Sequence, residues 1–182
     1  MNEREIKSGY DIEKRNAALE NLKEAVVFLL IVIMIILIRM YIMTPAVING
    51  DSMEPTLHDG DIVFLYRNVN EINRFDIIVH SYQNDSLVKR VIGLPGEFIE
   101  YESNRLYVSQ EYIPENFINA DMDDFILTEL SYNQIPENYY FVLGDNRNFS
   151  KDSRSIGLIH IDDIVGRSVF RIYPFAKFGI LE

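Results

Sequence analysis

Fourteen consecutive residues, 25–38 (AVVFLLIVIMIILI), carry no charge, no polar side chain and neither glycine nor proline. A helix apolar on every side has no face to offer water, so such a run lies either deep in protein or in lipid. Fourteen helical residues rise only about 21 Å, short of a hydrocarbon core of roughly 30 Å. Extension through Arg39 to Met43 gives about 28 Å, which suffices. Arg39 is then expected near one face of the bilayer, its stem in lipid and its guanidinium in water. Thr44-Pro45 is the expected end, because proline cannot continue a helix. The preceding 24 residues are too long and too acidic for the start of a cleaved leader, and no A-x-A site follows, so the segment reads as a permanent anchor. Arg4, Lys7, Lys14, Arg15 and Lys23 precede it, whereas the next basic residue after Arg39 is Arg67. That asymmetry predicts a cytoplasmic N-terminus. Three parts follow: a cytoplasmic segment 1–24, helical and charged over 11–24, a transmembrane helix 25–43, and an extracytoplasmic domain 44–182 at the plasma membrane.

Beyond the anchor the texture changes to short β-branched and aromatic runs. Residues 61–66 (DIVFLY), 76–81 (DIIVHS), 87–92 (LVKRVI), 98–101, 106–108, 139–143 and 164–172 read as strands. Asp59-Gly60, Pro95-Gly96 and Gly144-Asp145 supply turns. No helical periodicity persists there, so the expected domain is mostly β, an antiparallel sheet or barrel on a single N-terminal helix. Residues 112–138 are polar, acidic and weakly patterned, and are expected to leave the sheet core. The C-terminal aromatics Phe170, Tyr173, Phe175 and Phe178 are expected mostly in the core, with some at the bilayer surface.

Composition excludes more than it identifies. There is no cysteine, which removes disulfides, thiolate metal sites and a cysteine nucleophile. The net charge of −11 argues against nucleic acid as a partner. No H-E-x-x-H pair suggests a metal, and none is expected, nor any other cofactor. His58, His80 and His160 are available to a Ser-His-Asp hydrolase, but there is no G-x-S-x-G elbow, and His58 reads as a surface histidine in a turn.

Three segments could carry chemistry. The first is GDSMEPTL, residues 50–57, whose Ser52 lies nine residues past the anchor, a link of no more than roughly 30 Å. The second, LVKRVIGLPGE, is residues 87–97. On a strand, Lys89 shares a face with Leu87 and Val91, and a lysine desolvated there has a lowered pKa and a usable amine. The opposite face (Val88, Arg90, Ile92) is also largely apolar, so the pattern leaves open which basic residue is buried. Arg90 could not act as a base, since guanidinium stays protonated. The third is GDNRNFSKDSR, residues 144–154, where alternating acid, base and hydroxyl groups could form a local network.

Together these resemble the nucleophile, lysine and third boxes of type I signal peptidases, in the family's order behind one N-terminal span. Lesser matches are DGDIVF, IPENYYFVLGDNR and GLIHIDDIVGRSVFRIYPF. The resemblance implies a membrane-bound serine endopeptidase that removes signal peptides from secreted preproteins, cutting after small residues at Ala-x-Ala sites. It implies Ser52 as nucleophile, Lys89 as base, Ser150 holding the lysine amine, and Asp145, Asp152 and Arg154 supporting the third box, the last two paired. Met53 is implied beside the substrate, which would bind as an added strand. The implied partners are signal peptides and the lipid bilayer, with a secretion translocon left open. Gly50 stands where some relatives carry a serine, and the loop between the second and third boxes is short, both Gram-positive-like traits. Arg74-Phe75-Asp76 replaces the usual R-G-D. Ser/Lys self-cleaving repressors lack an anchor. A tethered β module without activity is the non-enzyme alternative, against which Ser52, Lys89 and Ser150 stand together.

Overall fold

The computed structural model describes residues 3–41, 43–67, 69, 71–118 and 121–181, with the side chains of 3–15, 17, 18, 38–41, 43 and 169 outside that description. The expected placement of Arg39 therefore lies outside the described side chains. The chain divides into two compact units, Met1–Ile42 and Met43–Glu182.

The first unit is one helix, α1 (Glu3–Tyr41). It joins the charged stretch and the apolar run without a break, as expected of a segment free of proline. Its large apolar side chains from Val26 to Leu37, Val32 aside, are between 43% and 69% exposed. Among the described residues, no helix is long and apolar enough to cross a membrane. The helix stops at Tyr41, short of the expected end, because Met43 already pairs with Tyr66 in a sheet.

The second unit is built from two open antiparallel sheets, so no barrel closes. Its strands are β1 (Met43–Val47), β2 (Ile62–Tyr66), β3 (Ile77–Tyr82), β4 (Asp85–Gly93), β5 (Ile99–Glu102), β6 (Arg105–Val108), β7 (Glu111–Ile113), β8 (Phe125–Ile126), β9 (Tyr139–Leu143), β10 (Ile159–His160), β11 (Ile164–Tyr173) and β12 (Gly179–Ile180). The larger sheet runs β1-β2-β11-β3-β4-β9-β10 with β12 beside β11, and the smaller runs β7-β6-β5-β8. Every expected strand is present. Thr44-Pro45 ends no helix but sits within β1, a sheet-edge strand, where proline's missing N–H costs no ladder bond.

Two expectations change. Residues 112–138 do not leave the core: Met122, Phe125, Leu127 and Ile135 are buried there with Ile92, Ile99, Tyr101 and Phe141. Their polar neighbours masked a contribution made by single anchors rather than by a periodic run. Of the C-terminal aromatics, Tyr173, Phe175 and Phe178 are exposed rather than core. Phe178 and Phe170 pack edge to face, with centroids 4.6 Å apart.

Candidate active site

The nucleophile turn follows β1 and is held on both sides. Gly50 has φ +87°, a left-handed conformation that glycine adopts freely, which explains why no hydroxyl-bearing residue stands there. Its N–H donates to Asp59 Oδ1 at 2.8 Å. Met53 and Leu57 anchor the turn in a core with Ile48, Val63, Leu65, Ile77 and Val79. Ser52 is thereby left partly exposed at the rim.

Both basic residues of β4 are buried, Lys89 at 1% and Arg90 at 0% exposure, and alternation sends them to opposite faces. Lys89 lies opposite Ile78 of β3. Its Nζ donates to Ser52 Oγ at 2.8 Å and to the Val88 carbonyl at 2.7 Å. Burial pulls this amine down from 10.5 to about 8, against the opposing pull of Asp152 and Asp145. Arg90 is fully engaged elsewhere. It meets Asp145 through Nε at 2.9 Å and through a terminal nitrogen at 2.7 Å, and donates to the Phe75 carbonyl at 2.9 Å. Asp145 also accepts from Thr56 Oγ1 at 2.5 Å, so one buried carboxylate ties together the nucleophile turn, β4 and the third box.

The third box follows β9 as a loop. Asn146 N–H donates to the Ser52 carbonyl at 3.1 Å, and its side-chain amide to the Asp51 carbonyl at 3.1 Å. A Cβ on Gly144 would overlap the Ser52 carbonyl oxygen and the side chain of Ser150, so only glycine permits this approach. Asp152 and Arg154 are paired as expected, through two bonds of 2.8 Å, and Asp152 also accepts from Gly144 N–H at 3.1 Å. Ser150 departs from expectation. Its Oγ is buried without a hydrogen-bond partner among the described residues, so the expected bond to the lysine amine is not made. None of the three histidines is a hydrogen-bond partner of Ser52 among the described residues. His80 is buried on β3, and the other two are partly exposed.

Beside the Ser52–Lys89 pair runs a cleft of about 390 Å³. One wall is residues 46–49 and the other is residues 85–89, with Met53 and Val79 in its floor. Met53, expected beside the substrate, lines this cleft. Each wall is paired on one side and leaves its other backbone edge free among the described residues. β1 ends its sheet, and β4 meets β9 only from Arg90 onward, leaving residues 85–89 paired on the β3 side alone among the described residues.

The family described as "Signal peptidase, peptidase S26" matches residues 21–173. The chain belongs to that family. Membership makes it a serine-type signal peptidase, whose family task is removal of signal peptides. Signal peptidase IB of Staphylococcus aureus (strain Mu50) is 37% identical over 164 residues, covering 80% of this chain and 86% of the relative. Signal peptidase I of Bacillus amyloliquefaciens is 37% identical over 172 residues, covering 89% and 91%. A crystal structure of a signal peptidase I from Enterococcus faecalis V583 superposes with a TM-score of 0.51 at 34% identity, covering 54% of this chain and 97% of that one.

Some of this signal peptidase's site eluded sequence reasoning. Thr56 carries no role in the nucleophile motif, and Gly144 is marked only as part of a turn. The partnership of Arg90 with Asp145 could have been inferred, since a guanidinium on an apolar strand face requires a buried acid.

Proposed function

We propose that this protein cleaves signal peptides from secreted preproteins with Ser52 as nucleophile and Lys89 as general base. The observation that carries the reading is the 2.8 Å contact between a buried lysine amine of lowered pKa and a serine hydroxyl at the rim of a cleft. Ser52 Oγ attacks the scissile carbonyl carbon as its proton passes to Lys89 Nζ. The resulting oxyanion meets the Ser52 N–H, without the side-chain hydroxyl that Gly50 lacks. The C–N bond then breaks, and Lys89 returns the proton to the departing amine. Water attacks the acyl ester and gives a proton to Lys89, which passes it to Ser52 Oγ as the ester C–O bond breaks. Asp145, Asp152 and Arg154 hold the third-box loop in place, and Ser150 lies near Gly144 and the Ser52 carbonyl as a further polar group.

The substrate binds extended in the slot between residues 46–49 and 85–89, adding a strand to each free edge. The apolar lining of Ile48, Met53 and Val79 suits small side chains before the cut, as in Ala-x-Ala sites. Residues 25–41 anchor the enzyme in the plasma membrane, N-terminus inside and catalytic unit outside. The bare apolar surface of α1 supports this, since a surface of that extent needs lipid or a partner to cover it.

The test uses detergent-solubilised protein and a preprotein, with the N-terminus of the product mapped. Ser52→Ala and Lys89→Ala are each expected to abolish cleavage while the protein stays folded. Lys89→Arg is expected to be equally inactive, because guanidinium does not release its proton. Normal turnover by any of the three would overturn the assignment. Protease protection of sealed vesicles checks the orientation, and digestion of the catalytic unit from the cytoplasmic side would refute it.

A further inference from the structure

We propose that Glu115 and Tyr101 are positioning residues for the Ser52–Lys89 pair, acting through Arg147 on the loop that closes over the nucleophile; the proposal rests on the catalytic reading given above. The loop touches the nucleophile at two backbone points, the Asn146 N–H bond to the Ser52 carbonyl and the close approach of Gly144 to that same oxygen. Its position therefore sets where Ser52 stands relative to Lys89. Together with Asp145, Asp152 and Arg154, the loop is held by Arg147. Its Nε donates to the Gly144 carbonyl at 3.1 Å, folding the side chain back on the residue that approaches Ser52. The rest of the guanidinium reaches into the small sheet, donating to Glu115 at 2.6 Å and to the Tyr101 hydroxyl at 2.9 Å. Tyr101 in turn donates to both carboxylate oxygens of Glu115 at 3.0 Å. The Arg147 carbonyl is tied down as well, accepting from Arg154 at 2.7 Å.

The ion pair is buried, with side-chain exposures of 0% for Arg147 and 4% for Glu115. A pair so placed adds little net stability relative to apolar residues of the same size, because desolvation offsets the attraction. It does supply direction. A planar guanidinium fixed at its far end by a carboxylate and a phenol can present Nε to Gly144 in only one way. Glu115 stands in the weakly patterned stretch that no motif marks, and Tyr101 on β5, so two elements outside the site act on it.

The experiment replaces the pair by apolar residues in the full-length, detergent-solubilised protein, as Glu115→Leu combined with Arg147→Met. Melting is recorded beside kcat, KM and the pH profile on a preprotein carrying a signal peptide. The expected result is a melting midpoint within a few degrees of the parent, KM within about twofold and kcat down at least tenfold, the scale of a displaced catalytic group. The acid limb of kcat is also expected to move to higher pH, since a loosened loop admits water to Lys89. A folded double variant with parental kcat and an unmoved acid limb would overturn the proposal. Should the double variant not fold, Glu115→Gln is assayed below its own unfolding. A tenfold loss per folded molecule then supports positioning, and parental turnover per folded molecule refutes it. Cleavage surviving in a Ser52→Ala control would instead sink the reading of the pair itself.

Discussion

On the proposed reading, Lys89 can serve as a base because the fold keeps its amine dry. Its folded pKa of about 8 lies below the 10.5 of an exposed lysine, so between those values the unfolded chain binds more protons than the native one. Stability must then rise with pH through that window. At neutral pH the buried ammonium carries a penalty on the order of 3 kcal/mol. Lys89→Met should accordingly raise the melting temperature at pH 7 by several degrees while abolishing cleavage, and the gain should shrink towards pH 10 in a series of thermal melts. The active enzyme should show the mirror image: kcat rising about tenfold from pH 7 to 9 as the neutral amine is populated. At Gly144, alanine would push against the Ser52 carbonyl and Ser150. A loss of at least 100-fold in kcat is expected, with a melting shift of only a few degrees. Phe75 holds φ at +71°, a left-handed conformation that is costly for a bulky residue and open to glycine. Its ring packs 5.0 Å from Phe117, whose face lies 4.0 Å from the Arg90 guanidinium. Phe75→Gly relieves the backbone but empties that contact, so calorimetry should find a net loss of about 1–2 kcal/mol with KM unchanged.

Among the elements, β2, β3, β4, β5, β6, β9 and β11 are legible because each is an apolar run ended by a turn. β7, β8, β10 and β12 are not, being only two or three residues long and specified by their partners. β1 hid behind the apolar run, whose composition passes into Met43 and Thr44 without a signal that helix has become sheet. The stretch 112–138 was misread because its core residues are spaced irregularly along a wandering chain, which leaves no period to detect. For α1, the eye finds the apolar stretch at once, and its role is open to test. Lysines at Leu30 and Ile33, one turn apart on the helix, should cost about 5–7 kcal/mol of membrane insertion. Leu30→Lys with Ile33→Lys is therefore expected to move the protein from the carbonate-resistant to the extractable fraction, and unchanged partitioning would argue against the anchor.

At the scale of the whole molecule, all three buried apolar clusters are made from residues of the second unit. A chain beginning at Met43 should therefore fold alone and melt within a few degrees of the full protein, as circular dichroism can check. The site as a whole was readable in outline, since three motifs name Ser52, Lys89 and the third-box acids. What is unreadable is their joinery: that Asp145 serves Arg90, that Ser150 Oγ has no hydrogen bond among the described residues, and that Glu115 pairs with Arg147 from 32 positions earlier in the chain. Such links depend on chain crossings that no local pattern encodes. The slot flanked by β1 and the first half of β4 has a wider meaning. It is a sheet with one row left out, and in the proposed extended mode a substrate is graded first by whether its main chain can lie straight and offer amides and carbonyls in step. Side chains get a vote only where they must be small. A catalyst built this way can serve a crowd of clients that share no wording, and a single proline in the wrong place is enough for a client to be refused.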